Sequence, residues 1–137
     1  MEFDTPVALI AATNKDTYTQ TEPITVTATV VVIDRDGDKI SLDHGDDTPL
    51  ARYEIVVLNE QGELVSPTPE GFRLIAAGRH HILGEIDQDN PAREAFRIDT
   101  WFDLSKPGQY TLILTRPAWI PKAIMLTSNP VTFTRLP

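Results

Sequence analysis

The sequence predicts an all-β domain, an antiparallel sandwich of about seven to nine short strands, and three observations carry that expectation. Residues 24–33 alternate with a period of two: Ile24, Val26, Ala28, Val30 and Val32 share one face, while Thr25, Thr27 and Thr29 share the other. Short apolar runs recur along the chain, each closed by Gly, Pro, Asn or Asp turn chemistry. A helical look is confined to residues 91–95 (PAREA), enough for one turn.

Taken in chain order, residues 6–13 (PVALIAAT) form a short apolar run, and a polar stretch, 14–22, separates it from the strong strand at 24–33. Residues 52–58 (RYEIVVL) read as a strand leading through Asn59-Glu60-Gln61-Gly62 to Glu63-Leu64-Val65, a hairpin whose loop places Gly where positive φ is needed. Residues 66–71 (SPTPEG) are excluded from a central strand, because Pro67 and Pro69 remove two ladder donors. Residues 72–77 and 79–86 are weaker strand candidates on either side of Gly78. Phe96, Ile98, Phe102 and Leu104 alternate over 96–104, Tyr110, Leu112 and Leu114 repeat the pattern after Pro107-Gly108, and 131–136 close the chain as a last strand. No repeat or linker divides the sequence, so residues 1–137 are expected to be a single domain, with 1–5 as a disordered end or a cloning remnant.

Composition narrows the function classes. The chain is 41% hydrophobic and carries a net charge of −8, so it has material for one core and a surface that repels phosphate backbones. Nucleic acid and anionic membrane are therefore poor partners. With no cysteine, disulfides, thiolate metal sites and Cys nucleophiles are excluded. No apolar run reaches the roughly 20 residues of a membrane helix, so membrane insertion is not expected. The N-terminus lacks the pattern of a signal peptide, and the expected localisation leans extracytoplasmic with any signal absent from this chain.

Residues 102–112 (FDLSKPGQYTL) have the form of a tyrosine corner, in which a Tyr at the start of a late strand sends its hydroxyl back to upstream backbone. This segment, followed by SNPVTFT at 128–134, resembles bacterial immunoglobulin-like accessory domains with a "dLskPGxY" corner and a closing strand. A weaker resemblance is to the Bacillus-type intracellular proteinase inhibitor family, through residues 53–65 and the PGQYT of 107–111. Both imply an immunoglobulin-like antiparallel sandwich and a non-catalytic role. Neither carries over a functional residue, and the long insert at 34–51 departs from the compact inhibitor pattern.

That insert is rich in carboxylates. Asp34, Asp36, Asp38 and Asp43 are the candidate metal ligands, because calcium wants six to eight oxygens and alternating Asp around a Gly turn can supply them. The match to an EF-hand loop fails at Gly37, which falls too early, and at Gly45, which stands where the bidentate Glu belongs. A solvated loop whose Asp and Gly make turns is therefore the preferred reading, with no cofactor and Ca2+ as the alternative. His80 and His81 are adjacent in a strand candidate and point to opposite faces, so they do not chelate together; His44 is read as a surface histidine. No serine sits in a Gly-x-Ser-x-Gly elbow and no His-Glu-x-x-His occurs, so no enzyme is expected.

What remains is recognition of a protein partner. Residues 116–126 (RPAWIPKAIML) are read as a loop between the last two strands, and Arg116, Trp119, Ile120 and Lys122 are the candidate binding residues. Trp119 folding back to cap the core is the competing reading. The leading function is a non-catalytic interaction or accessory module of a bacterial envelope or secreted system. A proteinase inhibitor using 66–71 or 117–121 as its loop, and a calcium-dependent adhesive domain, are the alternatives. Oligomeric state is not legible.

Overall fold

The computed structural model describes residues 7–32, 40–43, 49–76, 83–86, 92–119 and 122–137. They form β1 (Val7–Thr13), β2 (Thr17–Tyr18), β3 (Thr25–Val32), β4 (Ile40–Asp43), α1 (Pro49–Arg52), β5 (Glu54–Leu58), α2 (Pro69–Ala76), β6 (Leu83–Ile86), β7 (Ala92–Arg97), β8 (Gly108–Trp119), β9 (Ala123–Thr127) and β10 (Val131–Arg135). Among the described residues, nine strands have four residues or more and β2 has two.

Two sheets face each other as a sandwich. The smaller has the order β1-β3-β7, antiparallel throughout. The larger is organised by the 12-residue β8, which pairs with β10 and then β9 along one edge, and with β5 and then β4 along the other. Strand β2 joins β10 in parallel, and β6 lies outside β4. Inward residues of both sheets form one cluster: Leu9, Val26, Val30 and Phe96 from the first meet Val57, Leu112, Leu114 and Phe133 from the second. The alternation in β3 is as the sequence predicts, with Val26, Ala28 and Val30 fully buried and the threonines between them half-buried.

A short offset divides the edge of β8 opposite β5. Val131 pairs with Leu112 and Thr127 with Thr115, so Ser128, Asn129 and Pro130 stand against only Ile113 and Leu114. Ser128 keeps the ladder closed there: its N–H donates to the Leu114 carbonyl at 2.8 Å, and its hydroxyl accepts from Leu114 N–H at 2.9 Å. Asn129 turns instead to the other sheet. Its amide oxygen accepts from Ala11 N–H at 2.9 Å and its amide nitrogen donates to Ala11 O at 3.0 Å, so one side chain imitates a strand partner and ties β1 to the β9–β10 edge.

The tyrosine corner is present. Tyr110 is 4% exposed, its hydroxyl donates to the Lys106 carbonyl at 2.6 Å, and its ring stacks on Phe133 at 5.6 Å. The hairpin after β5 also forms, with Gly62 at φ +77°, Asn59 N–H donating to Glu63 O, and Leu58 bridging Leu64.

Four local expectations are corrected. Residues 72–76 are not a strand, and 77 lies outside the described residues; 69–76 are helix α2, started by Thr68, whose hydroxyl accepts from Gly71 N–H at 3.1 Å, and by Pro69 in the first turn. Gly71 is needed there because an added Cβ would lie 2.1 Å from the Trp101 carbonyl oxygen. Residues 92–97 are strand β7 rather than a helical turn, because pairing with β3 overrides the local preference of PAREA. The strand expected over 96–104 ends at Arg97, where Trp101 and Phe102 N–H groups both donate to Ile98 O and make a turn. The insert at 34–51 contains β4 and α1 rather than loop alone, and Arg52 ends α1 instead of opening β5.

Candidate functional site

The expected loop at 116–126 is a hairpin of β8 and β9, in register from Thr115↔Thr127 to Trp119↔Ala123. β8 simply continues past its pairing with β10, carrying the period-two alternation of 110–114 on to Ala118. That parity separates the four candidate binding residues. Arg116 shares the inward face with Leu112 and Leu114 and is 3% exposed, so it is removed from any contact surface. Trp119 lies on the outward face, half-buried, opposite Ala123 and Ser41 rather than inside the core. Lys122 is exposed next to β9, and Ile120 lies outside the described residues.

Arg116 belongs to a charged cluster inside one end of the sandwich. Its guanidinium donates to the Tyr53 hydroxyl at 3.0 Å and sits 4.8 Å from the centre of that ring. Glu94, turned inward from β7, lies 3.9 Å from Arg116 and forms a close pair with Arg52 at 2.6 Å. Burial pushes the Tyr53 hydroxyl up to about 12, against the pull of the Arg116 charge. These contacts join α1, β7 and β8. They are structural, since the groups are turned to each other.

The outward side of β8 has a different character. Register places Val56 opposite Ile113, Pro117 opposite Met125, and Leu58 opposite Thr111. Val56, Leu58, Ile113, Pro117 and Trp119 are half-buried and Met125 is 60% exposed. Among the described outward positions of β5, β8, β9 and β10, Glu54 is the only charged residue, in a chain of net charge −8. Of these residues the sequence names only Trp119 as a candidate; Met125 falls within its 116–126 segment, and Val56, Leu58 and Ile113 are missed. The signal was available, as apolar residues on the off-parity positions of 52–58 and 110–114.

A polar cleft of about 440 Å3 lies at the opposite end of β8, between the Asn59–Gly62 turn and the tyrosine corner. Its carboxylates are engaged internally: Glu60 accepts from Gln109 N–H at 2.9 Å, and Asp103 accepts from the Ser105 hydroxyl at 2.6 Å. That hydroxyl, with the Ser105 N–H, holds the Asp103 carboxyl below its usual range.

Of the candidate metal ligands, Asp34, Asp36 and Asp38 lie outside the described residues, and Asp43 ends β4 with its side chain outside them. His44, His80 and His81 are outside them too. Among the described residues, no group of three or more His, Asp or Glu is placed to hold a metal ion. Nor is either proline segment a free loop. Residues 66–68 are bonded along Trp101–Asp103 and lead into α2, while Pro117 to Trp119 belong to β8 and Pro121 is outside the described residues.

No protein-family model matches the chain, and no curated protein does. Among the described residues, no helix is long and apolar enough to cross a membrane.

Proposed function

We propose that this chain is an immunoglobulin-like, non-catalytic protein-interaction module, an accessory part of a bacterial envelope or secreted system, acting through the outward face of the β8 sheet. Supporting the immunoglobulin-like reading are the order β1-β3-β7 opposite β5-β8-β10 and the corner at Tyr110, which opens the central strand of the second sheet. The observation that carries the interaction reading is the outward face itself. Val56 with Ile113, and Pro117 with Met125, are two apolar pairs on it, separated by the row Glu54–Thr115–Thr127, whose Glu54 is the one charge among the described outward positions of β5, β8, β9 and β10. Solvent-facing strand positions are ordinarily polar, and apolar side chains on the outward side of a sheet mark a contact surface.

The test is a capture experiment from an extract of the source organism, with the wild-type chain, Met125→Glu and Ile10→Glu as baits. Ile10 is 47% exposed on β1 in the other sheet, so it controls for added charge. A partner should be retained by the wild type and Ile10→Glu and reduced about tenfold or more by Met125→Glu, the scale of a contact residue. Equal retention by all three baits would overturn the reading.

A further inference from the structure

We propose that the open edge of β7, on the smaller sheet, is a separate docking site that takes up a short acidic segment of another protein as an added antiparallel strand. β7 is the outer strand of the order β1-β3-β7, and the bond at its end sets its parity. Ile98 N–H donates to Ile24 O, so the pairs that exchange hydrogen bonds along the ladder are Val26↔Phe96, Ala28↔Glu94 and Val30↔Ala92. The N–H and C=O groups of Arg93, Ala95 and Arg97 therefore point away from β3, and among the described residues nothing bonds to them. All three residues are exposed. The other edge of this sheet differs: at Ala11 of β1 the outward N–H and C=O are both taken by the Asn129 side chain. Three open donor–acceptor pairs at every second residue are a template for one more strand.

Charge selects the occupant. The chain carries −8, yet among the described outward positions of β1, β3 and β7 the charged side chains are Arg93 and Arg97, both on the edge strand. Arg97 is held by Asp99 at 2.6 Å, whereas Arg93 makes no ion pair among the described residues. An antiparallel strand centred on Ala95 sets one residue opposite Arg93 and another, four positions away, opposite Arg97. Asp or Glu at the first of these supplies the countercharge that Arg93 lacks. The net charge repels a highly acidic partner at long range, so the fitting occupant is a short segment with one or two carboxylates. A second copy paired about Ala95 would set Arg93 against Arg97, two like charges directly opposite, which disfavours self-pairing.

Amide exchange of the full chain is the first test. Arg93 and Ala95 should exchange fast in dilute protein, while Glu94 and Phe96 beside them are protected by β3. The probe is the end-blocked peptide Thr-Glu-Val-Ser-Thr-Glu-Thr, titrated to about 1 mM, whose serine falls opposite Ala95 and whose glutamates fall opposite Arg93 and Arg97. It should bind and slow exchange at Arg93 and Ala95 by about tenfold. Methylating the serine nitrogen removes a donor aimed at β7 and should abolish binding, whereas methylating the valine nitrogen, aimed away, should be tolerated. Arg93→Glu, at an exposed position, should weaken this peptide about five- to tenfold and favour a version with lysines in place of the glutamates. Met125→Glu, on the other sheet, should leave peptide binding unchanged. Protection of Ala95 in the dilute chain, no binding at the highest concentration, or binding indifferent to both Arg93→Glu and the methylated serine overturns the proposal. Protection that grows with protein concentration alone assigns the edge to a second copy and overturns it as well.

Discussion

Replacing Tyr110 by Phe isolates one hydrogen bond, because the two side chains share the ring and differ by the hydroxyl. The ring should stay stacked on Phe133 at 5.6 Å, so no large cavity opens and the packing contribution is retained. What is lost is the 2.6 Å bond to the Lys106 carbonyl. A net hydrogen bond is worth about 0.5–1.5 kcal/mol, and a carbonyl left dry costs about 1–3 kcal/mol. Lys106 and Tyr110 both border the 440 Å3 cleft, so water can reach the carbonyl once the hydroxyl is gone. The expected loss is therefore about 1–2 kcal/mol, which for a domain of this size lowers the melting temperature by roughly 3–8 °C. Urea melts of the two proteins measure it as a lower midpoint at unchanged slope. A loss below about 0.3 kcal/mol would refute the corner as a stabilising device.

Four further outcomes are expected. Asn129→Ala removes both bonds to the Ala11 backbone and should cost about 1–3 kcal/mol, with faster amide exchange at Ala11 as the local sign that β1 has lost its tie. Gly71→Ala drives a methyl to 2.1 Å from the Trp101 carbonyl oxygen and should cost about 1–3 kcal/mol in a denaturant melt, through displacement of α2. Arg116→Ala should lower stability by about 2–3 kcal/mol in the same assay, since it empties a buried site and takes the guanidinium donor from the buried Tyr53 hydroxyl while Glu94 keeps Arg52, and it should do so without altering capture of a partner. Tyr53 ionises near 10 in an unfolded chain and near 12 in the folded one, so from pH 10 to 12 the unfolded state sheds its proton while the folded state keeps it. Stability should fall as pH rises through that window, and melts of Tyr53→Phe should show a shallower fall.

Much of the fold was legible because strand alternation is a local signal. Residues 24–33 and 110–114 declare a buried and an exposed face by their own sequence, and the corner at Tyr110 is a contiguous motif. The errors arose where a distant partner decided the outcome. Residues 92–95 of PAREA belong to a strand because β3 has an open edge to fill, and nothing within five residues says so. In SPTPEG the prolines were read as strand breakers, although Thr-Pro-Glu is equally a helix start. Whether 116–126 is loop or hairpin depends on β8 outrunning β10, and the sequence does not mark the end of β10's pairing. The candidate site suffered the same way. Arg116 and Trp119 are three residues apart, and register alone sends the first into the core and the second to the outward face.

Oxidative footprinting at Met125 asks whether the outward β8 face is covered when the protein is at work. Met125 is 60% exposed in the isolated chain and Phe72, on α2, is 68% exposed, so both should be modified readily in dilute purified protein. In an extract of the source organism, modification of Met125 should fall several-fold while that of Phe72 is unchanged, because only the first lies on the proposed contact. Protection of Phe72 with Met125 still reactive, or no change at either residue, would contradict the assignment of this face.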